Sequence, residues 1–356
     1  MNTPTRYGIG QTELAALLTG WGEPRYRITQ VWDALYRQRR PLEDATAVPR
    51  TLRDAIAGAL PLALEARVRQ ASHDGATTKW LWAGASDGAQ VETVLMQYPT
   101  RATVCVSSQA GCAMACTFCA TGQEGFERHL DAGEIVEQVL RAQHGSTARV
   151  SNVVYMGMGE PLANYDAVWH SVERLHADVG ISARRLTIST VGVVPGMRRL
   201  ASEALPVTLA VSLHAPDDAL RSELVPLNRR YPIAEVLDAA AEFAAARGRR
   251  VTFEYACIDG VNDAPEHAAA LGRRLAAWPG TGGAHVNLIP LNPTTEFAGT
   301  APPQPRLRLF AERLRAAGVN ATVRRNRGVD IDAACGQLRA RQPIPQTVPG
   351  PTTMVP

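Results

Sequence analysis

The feature that most constrains the fold is an alternation of strand-like and helical segments that begins near residue 101. Segments rich in β-branched residues are predicted to be strands, and the segments between them carry apolar residues at helical spacing. The predicted strands are 102–107, 151–156, 185–190, 207–213, 251–258 and 285–291, and the predicted helices are 131–144 (capped by Asp131), 165–179, 195–203, 217–224, 234–247 and 264–277, with a further helix at 304–317 and strand at 319–325. Because strands that alternate with helices form parallel βαβ units, the pattern predicts an α/β barrel or part of one.

The rest of the chain is predicted to form smaller units on either side of this barrel. Apolar residues recur at helical spacing at 11–19, 28–38 and 49–60, whereas the residues that follow look extended. We predict a small helical domain at 1–65, an extended linker at 66–100, the barrel with a C-terminal extension at 101–340, and a disordered tail at 341–356. The tail is rich in proline and has little apolar surface to bury.

The composition predicts an ordinary globular protein of the cytoplasm. The chain has 356 residues, of which 46% are hydrophobic, and a formal net charge of +3, which permits an RNA partner without requiring one. Its most apolar stretch, 55–64, is interrupted by Pro61 and is too short to cross a membrane. Because thiols stay reduced in the cytoplasm, the six cysteines are expected to be ligands or reactive groups.

Distinctive residues cluster directly after the predicted strands. They are 112–119 after the first strand, 157–161 after the second, 189–192 after the third, 212–214 after the fourth and 292–293 after the sixth. In a parallel βα barrel the loops after the strands share one face, and reactive residues gather there. The sequence therefore predicts one active site at the C-terminal face of the barrel.

Three cysteines in the first of these loops form a candidate metal site. Cys112, Cys116 and Cys119 have the spacing C-x3-C-x2-C. Thiolates suit iron–sulfur clusters or zinc, and three ligands to a four-iron cluster leave one iron open for a substrate. The alternative is a structural zinc site with Cys105 or His129 as the fourth ligand. Zinc sites favour paired C-x2-C spacing, so the pattern favours the cluster.

The cysteine motif resembles that of the radical S-adenosylmethionine superfamily, and the longer string 105–112 resembles its RlmN/Cfr family of RNA methyltransferases. Further signatures are 125–126, 212–216 and 332–338, and the likeness extends from about residue 25 to 340. This resemblance implies a partial (β/α)6 TIM-like barrel, a [4Fe-4S] cluster held by the three cysteines, and S-adenosylmethionine as cofactor.

The resemblance also implies which residues contact S-adenosylmethionine. The matching positions are Gly159, Glu160, Ser189, Ser212, Leu213, His214 and Asn292. Taken alone, His214 is typical of a hydrogen-bonded core histidine, and Asn292 could simply cap a turn beside Pro293. One position departs from the family pattern, because Val191 stands where a serine is expected.

Two further cysteines and a glutamate gain roles only from the resemblance. By themselves Cys105, Cys257 and Cys335 would be small buried apolar residues, and Glu92 an ordinary strand glutamate. The family mechanism implies that Cys335 accepts a methyl group from one S-adenosylmethionine and that a second supplies a radical, so that the methyl carbon adds to adenine C2. Glu92 would then act as base, and Cys105 would attack Cys335 to release the RNA and leave a transient disulfide.

The implied substrates are 23S rRNA and tRNA next to the anticodon. Candidate phosphate contacts are Arg37, Arg39, Arg40, Arg324, Arg325 and Arg327, although such clusters are often only solvated surface. We further expect a flavodoxin-like electron donor, a thioredoxin-like disulfide reductant, no membrane and a monomer. Two alternatives remain open: an adenine C8 methyltransferase, as in Cfr, and a non-catalytic RNA-binding protein with zinc at Cys105, Cys112, Cys116 and Cys119.

Overall fold

The computed structural model describes residues 4–38, 40–294, 296–324 and 326–338. Its first helices are α1 (Gln11–Gly20), α2 (Tyr26–Tyr36) and α3 (Arg50–Ala59), and each lies where the sequence predicts one. Apolar residues on their inner faces are fully buried, including Leu14, Val31 and Ile56. Within the described residues no helix is both long and apolar enough to cross a membrane. Arg39, Arg325 and the predicted disordered tail lie outside the described residues.

The segment predicted as an extended linker forms part of the main sheet. Strands β1 (Leu64–Ala71), β2 (Thr77–Gly84) and β3 (Gln90–Tyr98) pair antiparallel with their neighbours, and β3 pairs antiparallel with β4 (Arg101–Cys105). β2 lies between two strands, and all of its residues are buried. Residues on β2 and β3 are therefore held rigidly beside the first strand of the barrel.

The cysteine loop is enclosed by a short hairpin that the sequence analysis did not predict. Strands β5 (Gln109–Gly111) and β6 (Phe126–His129) pair antiparallel, and α4 (Ala120–Glu124) lies between them. Gly111 is required here, because its φ is +70° and a Cβ would lie 2.0 Å from the Gly125 carbonyl oxygen. The hairpin gives the cysteine loop a fixed base.

The predicted alternation of strands and helices is confirmed. The remaining strands are β7 (Val150–Tyr155), β8 (Leu186–Thr190), β9 (Thr208–Ser212), β10 (Thr252–Cys257), β11 (His285–Pro290) and β12 (Asn320–Val323). The helices are α5 (Ala132–His144), α6 (Tyr165–Ala177), α7 (Val194–Ser202), α8 (Asp218–Leu224), α9 (Ile233–Arg247), α10 (Pro265–Ala276) and α11 (Gln304–Ala316). Asp131 caps α5 as predicted, since its carboxylate accepts a hydrogen bond from Glu134 N at 2.8 Å.

The sheet is an open, mostly parallel barrel. The strands β4, β7, β8, β9, β10, β11 and β12 lie next to one another in that order and pair in parallel. Among the described strands, β1 and β12 end the sheet and do not pair with each other, so hydrogen bonds do not close the barrel. The expected partial barrel is confirmed, and the further strand predicted at 319–325, observed as β12, joins the six as a seventh parallel strand.

Two apolar clusters hold this architecture together. The larger one is continuous from α1–α3 through the barrel strands to α11. The smaller one packs Cys116 and Phe118 of the cysteine loop against Val225, Ile258 and Leu291, which follow α8, β10 and β11. The second cluster therefore fixes the cysteine loop over the C-terminal ends of the strands.

Candidate active site

Two cavities adjoin at the C-terminal ends of the barrel strands, where the sequence analysis places the active site. The first cavity is lined by the turn after β7, the ends of β8, β9 and β11, and part of the cysteine loop. The second cavity lies between β3, β4 and the loop after β12. The residues that line both cavities are Met156, Ile289, Arg324, Cys335 and Leu338. Cys335 therefore faces both chambers.

The cysteine triad lies beside the first cavity. Cys116 and Cys119 line it, while Cys112 is partly exposed and is anchored by its amide, which donates to the Gly125 carbonyl at 2.6 Å. Burial raises the pKa of all three thiols, that of Cys112 to about 12, and Cys119 adds to this for both other thiols. Since ligand thiols must be deprotonated, this site favours thiolates only when a strongly positive group is bound.

The arrangement suits a cluster better than a single ion. Among the described residues, no three His, Cys, Asp or Glu side chains are grouped as they would be around one metal ion. In an iron–sulfur cube each thiolate binds a different iron, so three cysteine ligands are spread around the cluster instead of converging on one point. A loop whose three cysteines are buried or partly buried beside a cavity fits that requirement.

The turn after β7 builds one wall of the first cavity. Gly159 has a φ of +98°, and a Cβ there would lie 2.5 Å from Gln109 Cβ, so only glycine fits. Glu160 is buried, and its carboxylate accepts hydrogen bonds from Leu162 N and Val191 N, both at 2.9 Å. Burial raises the pKa of Glu160 to about 7. An ammonium group entering the cavity would therefore stabilise its ionised form.

The Glu160 contact explains why valine is tolerated at position 191. The Val191 backbone amide, not its side chain, donates to the carboxylate. Any residue with a free amide serves equally well at this point. The departure from the family pattern therefore leaves the wall of the cavity intact.

The other predicted cofactor contacts lie on neighbouring strand ends. Ser189, Ser212, His214 and Asn292 line the first cavity, whereas Leu213 is fully buried behind it. His214 is a hydrogen-bonded buried histidine, since its Nδ1 accepts from Ala256 N at 3.0 Å, and it also lines the cavity. Burial lowers the pKa of His214 to about 3, so this imidazole is neutral.

Asn292 holds the loop that carries Cys335. Its Nδ2 donates to the Cys335 carbonyl at 2.9 Å, and its Oδ1 accepts from Asn326 Nδ2 at 2.6 Å. It is almost completely buried. The amide therefore joins the loop after β11 to the loop after β12, a role beyond the simple turn cap.

Cys335 and Cys105 meet at the second cavity although 230 positions separate them in the sequence. Cys335 is accessible through the cavities, but the surrounding protein still raises the pKa of its thiol to about 11. Burial raises the pKa of Cys105 to about 12, and the neighbouring Cys335 adds to this. The guanidinium of Arg324 opposes both shifts, because a nearby cation stabilises thiolate.

Glu92 does not line the second cavity, although it lies on β3 two residues before Val94, which does. It is 1% exposed and pairs with Lys79, whose Nζ lies 2.9 Å from Glu92 Oε1. Val94 and Met96, which follow on the same face of β3, do line the cavity. Cys257, assigned no chemistry, is fully buried outside both cavities.

The candidate phosphate contacts divide into two kinds. Arg37 and Arg40 are exposed, and Arg37 Nε lies 3.6 Å from Asp33 Oδ1. Arg324 points instead into the two cavities, and Arg327 lines the second, stacked over the ring of Tyr98 at 4.5 Å. Arg324 is thus placed next to the Cys105 and Cys335 thiols and not on the protein surface.

Arg221, which the sequence analysis did not single out, ties two walls of the first cavity together. It is fully buried on α8 and donates to the carbonyl oxygens of Val191, Ser212 and Leu213 and to Asn228 Oδ1. An arginine on an amphipathic helix is normally solvated. The sequence around Arg221 therefore gives no sign that this side chain is buried and braces the cavity.

Replacing Arg221 with methionine is expected to lower the free energy of unfolding by about 3–5 kcal/mol, because several buried acceptors lose their donor. Urea denaturation followed by circular dichroism measures this. The matched control is Arg229→Met, an exposed arginine that follows the same helix, for which a change within about 0.5 kcal/mol is expected. Equal stability of the two variants would contradict the bracing role.

Comparisons with known proteins identify the family of the chain. Residues 106–271 match the family model of the radical SAM superfamily. A crystal structure of a radical SAM methyltransferase from Sphaerobacter thermophilus superposes with a TM-score of 0.88 at 48% identity, covering 95% of this chain and all of that one.

Curated relatives match over nearly the whole chain. A protein of Salinispora tropica is 54% identical over 92% of this chain and 90% of its own length, and one of Chloroflexus aurantiacus is 49% identical over 95% and 93%. Both are named probable dual-specificity RNA methyltransferase RlmN. The expected cofactors, a [4Fe-4S] cluster and S-adenosylmethionine, follow from this membership. The chain is an enzyme that belongs to the RlmN family of radical SAM methyltransferases.

Proposed function

We propose that this enzyme methylates C2 of an adenine in RNA, with 23S rRNA and tRNA next to the anticodon as its substrates. The observation that carries the proposal is the position of Cys335, which faces the cofactor cavity on one side and Cys105 on the other. RNA as the substrate class rests on the relatives, which are named RNA methyltransferases.

The residues of the first cavity fit the two cofactors. Cys112, Cys116 and Cys119 would hold the cluster, and Glu160 offers a carboxylate to the amino group of S-adenosylmethionine beside Gly159. Ser189, Ser212, His214 and Asn292 offer polar groups along the other walls, and Leu213 supports them from behind. When bound, the pair supplies a methyl group and radical chemistry that side chains cannot provide.

A protein thiol solves the problem that adenine C2 is a poor nucleophile. The thiolate of Cys335 is nucleophilic enough to accept a methyl group from a sulfonium, and Arg324 stabilises that thiolate. Cys105 lies only in the second cavity and is kept away from the methyl donor. This geometry supports Cys335, and not Cys105, as the methyl acceptor.

Release of the product requires two more groups. Once the methyl carbon of Cys335 is bonded to the base, the odd-electron adduct must lose the proton on C2, which Glu92 would accept, and one electron, which would return to the enzyme's redox cofactor. The sulfur of Cys105 then attacks the sulfur of Cys335, so that a disulfide forms and the carbon–sulfur bond breaks. The electron pair of that bond stays on the carbon, which takes up a proton to become the new methyl group. A flavodoxin-like donor and a thioredoxin-like reductant would restore the enzyme.

The RNA would enter through the second cavity, with the target base turned out of its stack. Tyr98 and Arg327 at this cavity offer an aromatic face and a positive charge. Arg37 and Arg40 of the helical region 1–65 are exposed and would contact phosphates. Membership in an enzyme family argues against the non-catalytic zinc alternative.

The test uses the anaerobically purified, cluster-loaded enzyme with S-adenosylmethionine, a reductant and separate rRNA and tRNA pools that lack the modification. Digestion to nucleosides and mass spectrometry are expected to show 2-methyladenosine in both pools. A Cys116→Ala variant is the control, because a missing cluster ligand removes the radical chemistry. Detection of 8-methyladenosine would instead support the C8 alternative, and unmodified adenosine alone would overturn the proposal.

A further inference from the structure

Lys79 is the chain's only lysine, and it is buried. Its side chain is 9% exposed on β2, and its Nζ lies 2.9 Å from Oε1 of Glu92, whose side chain is 1% exposed. Lysine is almost never this buried unless a partner compensates for the lost hydration. A carboxyl group this buried would also be neutral without a cation beside it, and a neutral carboxylic acid cannot accept a proton.

The same ammonium group contacts the loop that carries Cys335. Lys79 Nζ donates to the Asp332 carbonyl oxygen at 3.2 Å. Asp332 has a left-handed φ of +50°, directly after the short 3-10 helix Val329–Ile331 and three residues before Cys335. One cation therefore joins the carboxylate of Glu92 to the backbone of the Cys335 loop.

The backbone of Glu92 is fixed as well. Ser107 Oγ donates to the Glu92 carbonyl at 2.6 Å and accepts from Met158 N at 2.9 Å, which ties β3 to the turn after β7. With the backbone held in this way, the direction of the Glu92 carboxylate is set by its side-chain partners, of which Lys79 carries the opposite charge.

We propose that Lys79 is a positioning residue for the release step: its ammonium group stabilises the charged carboxylate of Glu92 and holds the Cys335 loop at Asp332. This inference rests on the proposed function, in which Glu92 is the base. When Glu92 takes a proton from the RNA adduct, the charge attraction within the pair is lost, while the contact between Lys79 and Asp332 can persist and keep the loop in place.

The test compares Lys79→Met, Lys79→Arg and Glu92→Gln in the loaded enzyme. Lys79→Met is expected to lower kcat about 100-fold while KM for RNA stays unchanged. Both Lys79→Met and Glu92→Gln are expected to accumulate RNA that is covalently bound to the protein, which denaturing gels detect. Methylation of Cys335 before RNA is added, measured by mass spectrometry of the protein, is expected to be normal. Lys79→Arg keeps the charge and is expected to recover at least about a tenth of kcat.

A matched control is His73→Ala, which removes another side-chain contact to the same loop. His73 Nδ1 lies 2.8 Å from Asp330 Oδ2 at the surface. His73 does not contact the Lys79–Glu92 ion pair, so we expect His73→Ala to turn over normally and to trap no RNA. Trapping in this variant would show that loop order alone explains the effect, and would overturn the inference.

A measurement without turnover uses the single lysine. Selective ¹⁵N-lysine labelling gives one side-chain ammonium signal, which is expected to be protected from solvent exchange in the native enzyme and to lose that protection in Glu92→Gln. An exchange rate that is the same in both proteins would overturn the inference. This measurement also decides the case if Lys79→Met does not fold.

The remaining outcomes separate the inference from the proposed function. If Glu92→Gln methylates RNA normally, the role of Glu92 fails, and the inference fails with it. If Glu92→Gln traps RNA but Lys79→Met turns over normally, only the inference is overturned. In the Glu92→Gln background, Lys79→Gln is expected to have no further effect on kcat; a further loss of about 100-fold would show that Lys79 acts independently of Glu92.

Discussion

A Cys335→Ala enzyme is expected to lose methyl transfer to RNA by roughly 10⁴-fold or more, because the group that accepts the methyl is removed. The loss should be confined to the transfer. Asn292 contacts the backbone carbonyl of residue 335, which alanine retains, so the loop should keep its place. The cluster cysteines lie on a separate loop, and reductive cleavage of S-adenosylmethionine is expected to continue.

Two measurements on the same variant check this result. Mass spectrometry of the RNA digest reports methyl transfer, and chromatography of the small molecules reports cofactor cleavage. The matched control is Cys257→Ala, which removes a fully buried thiol outside both cavities and should leave transfer unchanged. Methylation at the normal rate by Cys335→Ala would rule out the route through a methylated cysteine.

The parts of the fold that the sequence predicted well are those with local signals. The helix predicted at 131–144 begins one residue later, because Asp131 and Glu134 form a local capping pair. The strand predicted at 285–291 ends one residue earlier, at Pro290. In contrast, β5 has three residues, which is too few to show a periodic pattern, so the hairpin around the cysteine loop was missed.

The parts of the site that depend on distant contacts had no local signal. Nothing within the sequence near Cys335 shows that it shares a cavity with Cys105, and the resemblance to a family was needed to relate them. Lys79 and Arg221 were missed because charged residues on strands and helices are normally solvated, whereas both are buried here. Their partners, Glu92 and three carbonyl oxygens, come from other strands and loops.

The two cysteines should fail at different steps, which makes Cys105 the sharper probe of mechanism. A Cys105→Ala enzyme still has Cys335 in the cofactor cavity, so the methyl carbon should still reach the base. Without a sulfur to attack Cys335, the carbon–sulfur bond of the adduct has no route to break. We therefore expect turnover to fall roughly 10³-fold or more while RNA accumulates in a covalent complex with the protein.

Denaturing gels with labelled RNA detect this complex, and nuclease digestion followed by mass spectrometry of the peptide locates the bond on Cys335. The Cys257→Ala variant again serves as control and should trap no RNA. A combined Cys105→Ala and Cys335→Ala variant should trap none either, because the adduct needs the sulfur of Cys335.

Since burial raises the pKa of Cys105 to about 12, its attack requires a thiolate that Arg324 helps to stabilise. Release of free methylated RNA by Cys105→Ala would therefore mean that the thioether breaks without a second cysteine, and would remove Cys105 from the mechanism.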